Sequence, residues 1–180
     1  ENGPYSLDAG LSILLEAMHL TSPKFDFNQI GQGLYTENEI KLINNMANCY
    51  IRAGHHYDAI DILKPLFRYL QVNLKNIPPN RAQIPIVAFN YARELEIVKR
   101  YDDAIEIAEY ARKICIDYGV YTSLSGILMI LAECYYHLED FEKSIELYRQ
   151  SYYLFKIIED DRNLIIIKTE AKEFLDLELD

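Results

Sequence analysis

Glycine and proline are scarce in this chain. Its 180 residues include 7 Gly and 6 Pro, and between the prolines the apolar residues recur at three- and four-residue spacing. From Ile40 to Tyr50, for example, Ile40, Ile43, Ala47 and Tyr50 step by three, four and three. That spacing is typical of amphipathic helices, and the period-two alternation of strands is absent over strand length. The sequence therefore predicts an all-α fold.

Other scarcities limit the classes of function. No apolar run reaches the roughly 20 residues that cross a bilayer, and the first residues show no signal-peptide pattern. Cysteine is limited to 3 residues, an odd number inside helical patterns, which favours a reducing compartment. Basic residues are also fewer than acidic ones, and the resulting formal net charge of −10 repels phosphate backbones. We expect a cytoplasmic domain that engages no membrane and binds no nucleic acid itself.

Catalytic and metal-binding motifs are missing too. The sequence has no G-x-S-x-G, no P-loop and no H-E-x-x-H. His55 and His56 are adjacent in a turn and point apart, without a Cys or carboxylate at ligand spacing. His56 occupies an aromatic position of the repeat described below, so we interpret it as a packing residue. Cys49, Cys115 and Cys134 lie on apolar faces. We predict no enzymatic activity, no metal and no cofactor.

Three segments share one pattern, in which a small residue precedes a second small residue by twelve across a tight polar turn. The pairs are Ala47 with Ala59, Ala92 with Ala104, and Ala132 with Ser144. Two antiparallel helices approach closely only where both present small side chains. Large flanking residues then fill the space between hairpins, namely Tyr50, Leu95, Tyr101, Tyr135 and Phe141. Each hairpin leaves an apolar face for the next hairpin to cover, so the repeats must stack.

This alternation resembles the tetratricopeptide repeat (TPR) from about Thr36 to Glu159. The resemblance implies a right-handed superhelical solenoid of antiparallel helix hairpins with about eight helices. The pattern recurs after 45 and then 40 residues, which is longer than the usual 34 or so. A break at residues 77–80 (Ile-Pro-Pro-Asn) accounts for part of the first excess. The turn glycine survives only as Gly54, with Lys99 and Glu139 at the matching places.

The predicted helices run over about 6–20, 37–53, 57–74, 81–98, 102–118, 121–138, 141–158 and 162–177. Thr36 is a plausible N-cap with Glu39 three residues on, residues 21–35 form a loop, Pro65 should kink its helix, and Pro85 falls in a first turn. We interpret residues 1–180 as one repeat domain: a partial hairpin (6–20), repeats at about 37–74, 81–118 and 121–158, and a capping helix (162–177). The unpaired first helix suggests a C-terminal fragment of a longer protein.

A groove lined by the first helix of each hairpin is the candidate binding surface. Its inward-projecting residues are Asn44, Asn48, Arg52, Phe89, Arg93, Glu96, Met129, Glu133 and Tyr136. An asparagine amide can both donate to a carbonyl and accept from an N–H, and arginine can hold a carboxylate with two parallel hydrogen bonds. We hypothesise that Asn44, Asn48, Arg52 and Arg93 grip the backbone or terminal carboxylate of an extended peptide. Phe89, Met129 and Tyr136 would receive its apolar side chains. The alternative is that these residues form merely solvated helix faces.

Three further segments carry a narrower resemblance: LLEAMHLTSP (residues 14–23), ENEIKLINN (37–45) and SYYLF (151–155). They resemble the C-terminal repeat region of helix-turn-helix (XRE-type) transcriptional regulators of Gram-positive bacteria, relatives of the Rgg and PlcR pheromone receptors. The resemblance implies a quorum-sensing domain that dimerises, binds a short peptide and acts on DNA through a separate N-terminal domain. No helix-turn-helix occurs in these residues. A general TPR scaffold that docks a protein such as a response regulator is the alternative.

Overall fold

The computed structural model describes residues 6–73 and 83–180, and all regular structure in those ranges is helical. The α-helices are α1 (Leu7–Thr21), α2 (Glu37–Arg52), α3 (His56–Asn73), α4 (Gln83–Ile97), α5 (Tyr101–Tyr118), α6 (Tyr121–His137), α7 (Phe141–Ile157) and α8 (Asp161–Leu175). Every predicted helix is therefore present, and the all-α prediction is confirmed. The predicted break at residues 77–80 lies outside the described ranges.

The chain divides into two compact units, residues 1–94 and 95–180. Within the first unit, α1 packs against α2 and α2 against α3. Within the second unit, α5 packs against α6, α6 against α7 and α7 against α8. Within each unit these helices contact their sequence neighbours, as antiparallel helices joined by short connections do.

The α2 N-terminus is fixed by a capping box, as the sequence predicted. The Thr36 hydroxyl accepts a hydrogen bond from the Glu39 N–H, and the Thr36 N–H donates back to the Glu39 carboxylate at 2.7 Å. The Ser22 hydroxyl, at the end of α1, donates to the other Glu39 oxygen at 2.6 Å. Burial alone would raise the pKa of Glu39, but the hydrogen bonds from Ser22 and Thr36 outweigh it and lower that pKa to about 2.

The predicted loop between α1 and α2 is more ordered than the sequence suggested, and the expectation of a plain loop is corrected. It contains a short 3-10 helix, Phe27–Gln29. The Asp26 side chain caps the N-terminus of this helix by accepting a hydrogen bond from the Asn28 N–H at 2.9 Å. An edge-to-face pair joins the loop to α3, because the Tyr35 and Tyr69 rings lie 5.1 Å apart. The Tyr35 N–H also donates to the Tyr69 hydroxyl at 3.0 Å.

The turns of the second unit follow a period of 20 residues. Lys99, Gly119, Glu139 and Glu159 all have positive φ, between 57° and 68°. At each turn, the residue after the positive-φ residue donates its N–H to the carbonyl five positions earlier in the chain, as from Arg100 to Leu95 at 2.8 Å. This is the Schellman helix end, which usually takes glycine. Gly54 occupies the same conformation in the first unit, with φ 75°.

The small residues of the repeat are fully buried. Ala47, Ala59, Ala92, Ala104, Ala132 and Ser144 all have no exposed surface. In the second unit the Ser144 hydroxyl of α7 donates to the Ala132 carbonyl of α6 at 2.7 Å, which shows the predicted close helix approach directly. Pro85 lies in the first turn of α4, as predicted, whereas α3 continues past Pro65. The kink at Pro65 stays a prediction.

Candidate peptide-binding site

Two of the predicted asparagines belong to a hydrogen-bonded amide cluster in the first unit. Asn44 and Asn48 lie one turn apart on α2, and Asn90 lies on α4. The Asn90 side-chain NH₂ donates to the Asn44 oxygen at 3.1 Å and to the Asn48 oxygen at 3.2 Å. We call these three residues the amide cluster. Asn90 was not predicted, although its place next to Phe89 on the predicted groove helix was the available signal.

The three amides differ in exposure. Asn44 is buried, with 6% of its surface exposed, while Asn48 and Asn90 are half-buried. Asn48 also lies 3.5 Å from the Asn45 side-chain oxygen, which holds its NH₂ along the helix. The cluster therefore has a buried member that ties α2 to α4 and two members with solvent access. Fixed amides of this kind present donors and an acceptor at set positions.

The other predicted residues of the first unit lie on the same two helices. Arg52 is exposed at the last residue of α2. Phe89 and Arg93 are half-buried and lie one turn apart on α4, so they share a face. The first unit thus carries five of the nine predicted residues on α2 and α4. Their contact with a ligand stays a prediction.

The structure corrects the expectation that all nine side chains project from an unpacked face. In the second unit, Met129 and Glu133 are only 8% and 5% exposed, because α6 packs against both α5 and α7. Asn44, described above, is buried to a similar extent. Glu96 and Tyr136 are half-buried, and the Tyr136 ring stacks on Phe174 with centroids 5.0 Å apart.

His56 has a polar role that the sequence analysis did not assign. Its Nδ1 lies 2.7 Å from Oε2 of Glu94, whose side chain is only 1% exposed. The interpretation of His56 as a packing residue is therefore incomplete, because its ring also pairs with a buried carboxylate on α4. The sequence signal for this pair was the histidine itself, at a position that Tyr101 and Phe141 occupy in the other repeats. A polar side chain at such a position requires a polar neighbour.

The described residues hold neither a metal-binding cluster nor a membrane-spanning helix. In residues 6–73 and 83–180, no group of three His, Cys, Asp or Glu side chains could hold a metal ion. Among the helices that the structure describes, none is long and apolar enough to cross a membrane. Burial raises the pKa of the Cys115 thiol to about 11, so that thiol is a poor nucleophile at neutral pH.

Comparison with solved structures identifies the fold. No family model and no curated protein sequence matches the chain. The crystal structure of BtubC (BKLC) from P. vanneervenii aligns with a TM-score of 0.69 at 16% identity, over 93% of this chain and 65% of that one. This chain thus spans under two thirds of that protein's length.

Two structures of a Podosopora anserina putative kinesin light chain with nearly identical TPR-like repeats align as well, each with a TM-score of 0.63. Their identities are 10% and 13%, over 93% and 94% of this chain and 86% and 84% of theirs. At such identities the likeness concerns the fold alone. The chain therefore has a TPR-like helical-repeat fold.

Proposed function

We propose that this chain binds an extended peptide segment through the amide cluster of its first unit. The cluster itself is the observation that carries the proposal. Asn90 holds the oxygens of Asn44 and Asn48 at 3.1 and 3.2 Å, so these side chains are oriented before any ligand arrives. A fixed amide loses less conformational entropy on binding than a mobile one.

The chemistry of an amide suits the backbone of an extended peptide. Such a backbone presents one unpaired N–H and one unpaired C=O per residue, and each asparagine can pair with both kinds of group. Arg93 lies on α4 one turn below Phe89 and three residues beyond Asn90, where its guanidinium could bind a carboxylate of the same ligand. Phe89 would supply apolar contact area beside it.

We further propose the regulatory setting that the sequence resemblance implies. In it, the chain is the sensor and dimerisation domain of a bacterial cytoplasmic transcriptional regulator of the Rgg/PlcR type, and peptide binding controls quorum-sensing genes. Three segments support this setting: residues 14–23, 37–45 and 151–155. DNA would be contacted by a domain outside these residues.

A general docking scaffold is the second candidate. It is favoured by the structural neighbours, two of which are named as a putative kinesin light chain with TPR-like repeats. In this case the amide cluster would hold an exposed segment of a larger protein, such as a response regulator. The two candidates differ in the length of the ligand that suffices for binding.

Peptide display on the immobilised chain tests the binding proposal. Enriched peptides are measured by calorimetry against Asn48→Ala and Asn90→Ala, with Asn38→Ala as the control. Asn38 is an exposed asparagine on the first turn of α2, outside the cluster. We expect each cluster variant to lose about tenfold in affinity, because one net hydrogen bond contributes about 0.5–1.5 kcal/mol. Equal affinity for all three variants would refute the proposal.

Ligand length separates the two candidates. If a selected peptide of under about ten residues binds the chain tightly, the sensor interpretation is supported. A requirement for a folded domain around the segment supports the scaffold. Sedimentation with and without the peptide tests the proposed dimerisation independently.

A further inference from the structure

A second feature of the first unit lies apart from the amide cluster. A pocket of about 370 Å³ opens beside α3 and is lined by Lys64, Pro65, Arg68, Tyr69 and Val72, among others. Its volume falls at the lower end of the range for ligand sites in proteins. The lining combines two cations with apolar side chains.

Two residues of the lining, Lys64 and Arg68, are cations. Lys64 and Arg68 lie one helical turn apart on α3, so their side chains project from one face. In the described part of the chain neither forms an ion pair, whereas Arg100 and Arg112 pair with Asp103 and Glu109. Two like charges at this spacing repel each other slightly unless an anion lies between them.

The surrounding sequence is free of acidic residues despite the net charge of −10. No Asp or Glu occurs between Asp61 and Glu94, or between Asp26 and Glu37, the segment that contributes Gly31 to the pocket lining. The charged residues within these two stretches are all Lys or Arg, so the pocket lining holds two cations and no acidic residue. A site of this kind attracts anions that the rest of the surface repels.

The apolar lining restricts the kind of anion. Pro65, the Tyr69 ring and the exposed Val72 together offer a surface for an aliphatic side chain. A small inorganic anion would leave that surface uncovered. Nucleic acid would bring many phosphates close to an acidic protein. A polypeptide that carries carboxylates next to an aliphatic residue satisfies both parts of the lining.

We propose that this pocket binds an acidic–aliphatic segment of a partner polypeptide. Carboxylates of the segment pair with Lys64 and Arg68, and its aliphatic side chain packs against Pro65 and Val72. Arginine can bind a carboxylate bidentately, and lysine supplies a point charge beside it. This site is separate from the amide cluster and goes beyond the function proposed above.

The test uses a fluorescein-labelled short peptide that repeats Asp-Glu-Leu, followed by fluorescence anisotropy. We expect Lys64→Gln and Arg68→Gln each to weaken binding about tenfold, and the double variant about a hundredfold, as for lost charge-assisted hydrogen bonds. The matched control is the double variant Lys113→Gln/Arg149→Gln, which removes two exposed cations of α5 and α7. It changes the net charge equally and should bind nearly as the parent chain does.

Additional control measurements test the specificity of the binding. A peptide that repeats Asn-Gln-Leu should not bind, and Asn90→Ala should not weaken the acidic peptide. Circular dichroism melts confirm that the exposed substitutions leave the fold intact. The proposal is overturned if the two double variants lose the same affinity, which would indicate general electrostatics. It is also overturned if a duplex DNA oligonucleotide or a phosphopeptide without carboxylates competes equally well.

Discussion

The two units of the chain differ in the hydrogen bonds that join their helices. In the first unit, polar side chains pair with other side chains, as in the amide cluster, the His56–Glu94 pair and the hydrogen bond from Ser22 to Glu39. In the second unit, the buried hydrogen bonds run from serine hydroxyls to backbone carbonyls, from Ser144 to Ala132 and from Ser151 to Ser125, both at 2.7 Å. Its turns also repeat every 20 residues, while a capped loop separates α1 from α2 in the first unit.

This difference indicates which part of a helical repeat can carry residues for recognition. Buried polar contacts contribute little net stability, because folding forms them at the expense of hydrogen bonds to water. They do impose orientation, since leaving one group unpaired is costly. A unit built from such contacts is therefore suited to presenting fixed donors, acceptors and charges.

Breaking the His56–Glu94 pair should have the largest effect on stability. We expect His56→Ala to lower the free energy of unfolding by about 2–4 kcal/mol, because it leaves the Glu94 carboxylate buried without its partner. Urea denaturation at neutral pH measures the change. The double variant His56→Phe/Glu94→Leu, which copies the aromatic position of Phe141, should recover most of the loss. A double variant as unstable as His56→Ala would show that the pair does not account for the loss.

Glu39 should make the first unit sensitive to acid. Its folded pKa of about 2 lies below the ordinary value of 4.5, so its stabilisation is complete above the unfolded pKa and disappears as the pH falls toward 2. We expect the stability difference between the parent chain and Glu39→Gln to shrink by about 3 kcal/mol at most from pH 7 to pH 2. Denaturation across that pH range measures it. A difference independent of pH would contradict the assignment.

The turns of the second unit offer the smallest effect. Glu139→Gly and Glu159→Gly should each raise the free energy of unfolding by about 0.5–1 kcal/mol, because glycine adopts positive φ without strain. Gly54→Ala in the first unit should lower it by about 1 kcal/mol. Glu142→Gly, at the second residue of helix α7, is the control and should be destabilising. Thermal melts compare the variants, and equal losses for Glu139→Gly and Glu142→Gly would reject the turn assignment.

The helices and their hairpins were predictable because they depend on local spacing. The small pair Ala132 with Ser144 is separated by 12 residues along the chain, and the capping pair Thr36 with Glu39 by three. Their chemistry can therefore be identified in one sequence. Lys99 and Glu139 were also placed at the turn position of Gly54, but Gly119 and Glu159, which complete the 20-residue period, were not.

The site residues were harder to predict because their contacts join distant segments. Asn90 meets Asn44 across 46 residues, and His56 meets Glu94 across 38. Helical projection identified Asn44 and Asn48 but not their shared donor. Projection also treats a helix as if only one side were covered, whereas α6 is packed by helices on two sides, which buries Met129.

The most direct test of the account is NMR of the asparagine side-chain amides during titration with a display-selected peptide. The account predicts that the Asn48 and Asn90 NH₂ resonances shift in a saturable manner with the affinity found by calorimetry. The Asn38 resonance should remain in place. Saturable binding that leaves the Asn48 and Asn90 amides unshifted would contradict the claim that the amide cluster recognises the peptide.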